Sequence, residues 1–181
     1  MSDEPSYLDL LYRISVGESE AEGLLDCWAS ATRNPAVRQV LSAIALREGE
    51  HGKAFAKRIC ELGYSVTATD TGDSAGRMAI AGSRDLTDRE KFEKLNVTSF
   101  FAPDAPDVFT PMWADQSIDI QTGALLGRYI AEERDSVRML EGCYNELCAA
   151  ERGSSTVDQA LTASLGRIEQ LLEQLVANSG R

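Results

Sequence analysis

The sequence predicts an all-α protein: an antiparallel four-helix bundle with one long crossover between its second and third helices. Three observations lead there. Apolar residues recur at helical spacing over four long stretches, the first and last connections between those stretches are short, and no run of useful length alternates as a strand would. With 181 residues, 43% hydrophobic and 26% charged, the chain suits a single domain over 1–181.

Helix A is expected over 6–32, where Leu8, Leu11, Ile14, Ala21, Leu25 and Trp28 share a face and Ser6 with Asp9 forms a capping pattern. Asn34 followed by Pro35 pairs an N-cap with a proline at the first helical position, so helix B, 35–62, starts at once and folds back along A. Gly63 ends it, being the residue type that accepts the left-handed conformation. The crossover, 64–116, is rich in Gly, Asp, Ser and Thr, and Pro103, Pro106 and Pro111 exclude continuous helix. Within it Thr87-Asp88-Arg89-Glu90 is a capping box that opens a short helix through Leu95, and Phe100, Phe101, Phe109 and Trp113 anchor the connection to the bundle. Helix C is expected over 117–150 on the stripe Leu126, Tyr129, Ile130, Val137, Leu140, Tyr144 and Leu147. Gly153-Ser154-Ser155 reads as a turn. Ser155 and Asp158 then cap helix D, 156–178, with Leu161, Leu165, Ile168, Leu172 and Leu175 facing the core.

Charge and motifs exclude several classes. Lys and Arg total 18 against 29 Asp and Glu, a net charge of −11, which gives nucleic acid no electrostatic support. No apolar run reaches the roughly 18 residues of a membrane span, and the N-terminus MSDEPSYLDL has no signal-peptide pattern, so no membrane partner and a cytoplasmic location are expected. Cys27, Cys60, Cys143 and Cys148 contain no C-x-x-C pair, which argues against a zinc ribbon or a rubredoxin-type centre and for reduced packing thiols. There is no G-x-S-x-G, Gly72-Asp73-Ser74-Ala75-Gly76 lacks the lysine of a phosphate-binding loop, and no second histidine exists to serve a triad.

Two helices carry polar residues on their core stripes. In helix B the stripe reads Val37, Leu41, Ile44, Glu48, His51, Phe55, Ile59 and Leu62; in helix A it reads Leu11, Ile14, Glu18, Ala21, Leu25 and Trp28. A carboxylate facing an apolar interior must be paired or coordinated. Glu48 and His51, at i and i+3, can direct an oxygen and an imidazole nitrogen at one point. Glu18 precedes the A–B turn by about as many residues as Glu48 follows it, so at about 1.5 Å per residue the two carboxylates stand at one height. Glu20 and Glu22 fall off the stripe and read as a solvated face. For His51 a neutral core histidine bonded to Glu48 or to a carbonyl is the alternative to a metal ligand.

The stretch Gly17-Glu18-Ser19 with Glu48-x-x-His51 resembles the first half of the rubrerythrin and ferritin-like di-iron carboxylate proteins. The turn Thr32-Arg33-Asn34-Pro35 is similar to that of the two-helix encapsulated ferritins. The likeness covers the hairpin 6–64 and is architectural only for 117–178. It implies a ferritin-like bundle that binds iron, or manganese, with oxidase, peroxidase or storage chemistry. It asks helix C for a Glu, matched by Glu133 on the stripe of Ile130, Val137 and Leu140, with Glu132, about 100° away, as second choice. It asks helix D for a second E-x-x-H, and here the sequence departs: Glu169 has Leu172 at i+3. The implied metal ligands are therefore Glu18, Glu48, His51, Glu133 and Glu169, with His51 coordinating through one nitrogen while the other donates to an outer acceptor. Glu133 as a rim partner of Arg128, Arg134 or Arg138, and Glu169 in solvent, are the alternatives.

Three readings are open at this stage. In the first, the incomplete site holds iron or manganese, with weak oxidase or peroxidase activity toward a small oxidant; Tyr129, one turn from Glu133, either relays an electron or packs. In the second, the chain is a degenerate ferritin-like structural or protein-interaction module without metal. In the third, Glu18, Glu48 and His51 meet their symmetry mates in a homodimer. Catalytic residues, substrate and electron donor are not specified by the sequence.

Overall fold

The predicted helical hairpin forms as α1, Leu8–Ala31, and α2, Pro35–Glu61; α3, Ser74–Gly82, α4, Asp88–Lys94, and α5, Ile120–Ser179, follow. Two 3₁₀ turns, Val97–Phe101 and Thr110–Trp113, lie between α4 and α5. This computed structural model describes residues 4–66, 73–102, 105, 107 and 109–179, and leaves aside the side chains of 113, 154–158, 160, 169 and 171–179. Among the described residues the chain is all α, with no strand and with no helix long and apolar enough to cross a membrane. No disulfide forms among them.

The local chemistry of the hairpin is that expected. Asn34 Oδ1 accepts from the N–H groups of Ala36 and Val37 at 3.0 and 3.4 Å, with Pro35 in the first turn. Helix α2 closes on Gly63, whose φ of 91° lets Tyr64 N–H reach Ile59 O and Gly63 N–H reach Cys60 O. The stripe Val37, Leu41, Ile44, Glu48, His51, Phe55 and Ile59 is buried throughout. Leu11, Ile14, Glu18 and Trp28 of α1 are buried with it, whereas Leu24 takes the buried place expected for Leu25. The capping box Thr87–Glu90 opens α4.

The chain packs as two units, 1–144 and 145–181. In the first, one core joins Tyr7 of the N-terminal arm and Leu8, Leu11 and Ile14 of α1 to Phe55 and Ile59 of α2 and to Leu126, Tyr129 and Ile130 of α5. Toward the other end of α1, Trp28 meets Phe92 edge-on at 4.8 Å, and Phe92 meets Tyr144 at 5.5 Å. In the second unit the backbone is helical to Ser179, and Leu161, Leu165 and Ile168, expected on a core face, are exposed.

Three expectations are corrected. Gly153-Ser154-Ser155 is helical rather than a turn, so the stretches expected as helices C and D are one element, and what the described residues establish is an all-α chain. Glycine and serine cost about 1 kcal/mol or less each in a helix, a preference that neighbouring residues override. Ser6 does not cap α1: its hydroxyl bonds Asp115 and, at 2.9 Å, Ser117. The crossover holds α3 as well as α4, capped by Asp73 Oδ1 on Gly76 N–H and packed on α1. The Ser155–Asp158 cap, Leu172, Leu175 and the Trp113 anchor lie outside the described side chains.

Candidate metal centre

Small residues let α1 and α2 meet closely where the site lies. A Cβ on Gly52 would stand 2.7 Å from Ser19 Oγ and 3.3 Å from Ser15 O, and Ser15 Oγ donates to Gly52 O at 3.1 Å. This contact is beside His51 and one turn from Glu48, and it brings α1 near enough for Glu18 to share their space. Helix α5 enters from the other side with its start fixed by Asp119. The Asp119 carboxylate accepts from the N–H groups of Gln121 and Thr122, from Thr122 Oγ1, from Tyr7 of the N-terminal arm and from Arg58 of α2. That register sends Glu132 and Glu133 to the level of Glu18 and Glu48.

One ligand atom from each of Glu18, Glu48, His51 and Glu133 lies within 4.8 Å of all the others. His51 Nδ1 faces Glu133 Oε1 at 3.3 Å, Glu18 Oε2 at 3.8 Å and Glu48 Oε2 at 4.0 Å. Glu18, Glu48 and His51 are buried, the last two at 5% and 3% exposure, and Glu133 is partly buried. Glu18 Oε2, His51 Nδ1 and Glu133 Oε1 are fully buried and complete no hydrogen bond. Such groups cost about 1–3 kcal/mol each when left without a partner. A cation bound at about 2.0–2.3 Å per ligand holds adjacent donors about 3 Å apart and opposite ones about 4.5 Å apart, so the donor spacing suits an ion. Three carboxylates and one imidazole are an oxygen-rich donor set for a divalent cation rather than for a thiophilic metal.

The rest of the site orients these donors. His51 Nε2 lies 2.7 Å from Glu132 Oε2, and Arg128 Nε donates to Glu132 Oε1 at 3.0 Å. Glu132 thus holds the ring from outside, leaving Nδ1 to face the cluster. Arg47 braces the same turn of α5 through Glu132 O, Ser136 Oγ and Asp135. Tyr129 O–H donates to Glu18 Oε1 at 2.8 Å, and its ring meets His51 edge-on at 5.1 Å.

Electrostatics express the same crowding. Burial, with Glu18 and Glu133 beside it, pushes the Glu48 carboxyl up to about 11. Burial disfavours a charged His51, but the facing carboxylates of Glu133, Glu18 and Glu132 outweigh it and push the imidazole up to about 10. Burial and the Glu18 charge raise Glu133. Glu18 is lowered, because the facing His51 and Glu48 and the hydrogen bond from Tyr129 overcome its burial. Glu132 is lowered against burial by His51 and Arg128. Burial and then the Glu18 charge raise the Tyr129 phenol. With no cation the directions of these shifts favour protons on Glu48 and His51, and a divalent ion would supply the same neutralisation while releasing them.

Four of the five candidate ligands are thus together. The side chain of the fifth, Glu169, lies outside the described residues. Glu133, not Glu132, faces the cluster, and it is not a rim partner of arginines: Arg128 pairs with Glu132 and Glu50, Arg134 with Asp107 and Arg138 with Asp135. His51 is bonded neither to a carbonyl nor to Glu48 but to Glu132. Glu20 and Glu22 stand outside the cluster, half-buried rather than on an open face, and Glu22 pairs with Lys53 at 3.5 Å. Glu132, Tyr129 and Arg128 complete the site as positioning groups; the i, i+4 spacing of Arg128 and Glu132 is their sequence signal.

Fold and site together define an all-α chain with a buried carboxylate–imidazole cluster. Comparison with protein-family models, with curated proteins and with solved structures finds no match.

Proposed function

We propose that the chain is a ferritin-like metal protein that binds iron, or manganese, through Glu18, Glu48, His51 and Glu133. The observation that carries this reading is the convergence of three buried atoms that complete no hydrogen bond, Glu18 Oε2, His51 Nδ1 and Glu133 Oε1, on one point. Iron bound there would supply one-electron redox chemistry toward dioxygen or peroxide, the weak oxidase or peroxidase activity that the family resemblance implies.

The chain's own residues do the positioning. His51 would give Nδ1 to an ion, losing its proton there, while Nε2–H stays on Glu132, so the ring orientation is fixed before binding. Tyr129 holds Glu18 by Oε1 and leaves Oε2 to the cluster. Glu18, Glu48 and His51 are buried and Glu133 partly so, which limits the water that competes for these donors. His51→Ala should abolish stoichiometric Mn(II) binding, read by titration calorimetry, while far-UV circular dichroism stays helical; His51→Gln, which keeps more of the side-chain volume, controls for packing. A wild-type chain that takes up neither Mn(II) nor, without oxygen, Fe(II) would instead make the cluster a buried polar network in a structural or interaction module.

A further inference from the structure

A cavity of about 410 Å³ opens between the first half of α1, the 3₁₀ turn Thr110–Trp113 and α5. That volume falls within the range of small-molecule sites. Leu10, Ile14 and Met112 line its apolar part, Glu18 and Tyr129 also line it, and Arg13 is the cation among the described lining residues. Glu18 belongs to both cavity and cluster: Oε1 is held by Tyr129, and Oε2 is the buried unpartnered atom. The cavity and the candidate metal centre therefore share a wall.

The geometry points to a small amphiphilic carboxylate as the ligand of this cavity, with its alkyl chain between Leu10, Ile14 and Met112 and its carboxylate on Arg13. As the substrate class of the metal centre this rests on the reading above; the binding itself does not. Three observations set the orientation. The apolar walls favour a hydrocarbon body. The buried end is acidic, with Glu18 backed by Glu48, Glu133 and Glu132, so an anionic head is repelled from it. Arg13 is exposed, and its i, i+4 pair with the equally exposed Asp9 at 3.5 Å is weak, so its guanidinium can hold a carboxylate in bidentate fashion. The head group thus lies at the rim and the end of the chain faces Glu18 and Tyr129.

The test is titration calorimetry of the metal-free full chain with hexanoate, octanoate and decanoate, and with octanol and octylammonium as head-group controls. One saturable site is expected, tightening roughly fourfold per added methylene until the cavity is full. Arg13→Gln should weaken octanoate about tenfold and leave octanol unchanged. Met112→Trp and Leu10→Trp, two independent ways of filling the cavity, should abolish binding of both, with thermal melts confirming that at least one is folded. His51→Ala should lose Mn(II) and keep octanoate, which separates failure of this inference from failure of the metal reading. Absence of a saturable site, equal affinity for octanol and octanoate, tightest binding of octylammonium, or an unchanged octanoate affinity in Arg13→Gln would each overturn it.

Discussion

Asp119→Ala should destabilise the chain by about 3 kcal/mol. The figure follows from what its carboxylate holds. One oxygen caps α5 by accepting from Gln121 and Thr122 N–H, and loss of an N-cap costs about 1 kcal/mol. The other accepts from Tyr7 at 2.7 Å and Arg58 at 2.9 Å. The Tyr7 hydroxyl would lose its acceptor, and the Arg58 guanidinium, its side chain 11% exposed, would keep Glu61, Gln121 and Thr122 but lose a charge-assisted bond. Each such loss is worth about 1–3 kcal/mol, and because the groups share one network the sum is less than the parts. Urea unfolding followed by tryptophan emission should move its midpoint down by roughly 1.5 M, for a slope of about 2 kcal/mol per molar. The pH dependence has a definite sign. Partial burial works the other way, but hydrogen bonds from Thr122, Tyr7 and Arg58 hold Asp119 well below its ordinary 3.8. The carboxylate therefore stabilises the fold fully above the unfolded-state value, and that contribution fades as pH falls below it toward the folded-state value. The gap between wild type and Asp119→Ala should shrink on acidification below about pH 4. A gap under about 1 kcal/mol at neutral pH, or one that widens in acid, refutes the role assigned to Asp119.

Other outcomes follow from the same contacts. Gly52→Val, forced against Ser15 and Ser19, should cost about 1–3 kcal/mol in thermal or urea unfolding and weaken Mn(II) binding by parting α1 from α2. Glu132→Gln should lower Mn(II) affinity about 10–100-fold in calorimetry without removing a ligand, while Glu132→Asp recovers part of the loss. Lys91 is 1% exposed, its ammonium bonded to Ala81 O at 2.8 Å and its ionised form disfavoured by burial. Lys91→Met, which keeps the volume, should change stability by less than about 1.5 kcal/mol, while Lys91→Ala, which opens a cavity beside Trp28 and Phe92, should cost about 2–4 kcal/mol in the same unfolding assay.

The hairpin was legible because its signals are local. Asn34-Pro35 and Gly63 fix its turn and its end, and the apolar spacing around Glu18, Glu48 and His51 fixes which residues face inward. Helix α3 was hidden because Asp73-Ser74-Ala75-Gly76 reads as loop, while its helical state draws on a cap from Asp73 and on packing against α1. The same competition between weak propensity and context carries α5 through Gly153-Ser154-Ser155. Glu132 was legible only as a second choice of ligand, and its role as the outer partner of His51 was hidden for a different reason. An imidazole has two nitrogens facing different ways, so a carboxylate off the core stripe holds Nε2 while Glu133, on the stripe, faces Nδ1. The cavity beside Glu18 had no sequence signal, since Leu10 and Met112 are far apart in the chain and meet only through the tertiary fold.

The most direct test is elemental analysis of the full chain produced without chelating tags or chelators and purified without oxygen. About one iron or manganese per chain, lost in Glu48→Ala and His51→Ala but retained in Glu20→Ala, is the predicted result. Metal-free wild type that stays so after incubation with Fe(II) or Mn(II) would contradict the account.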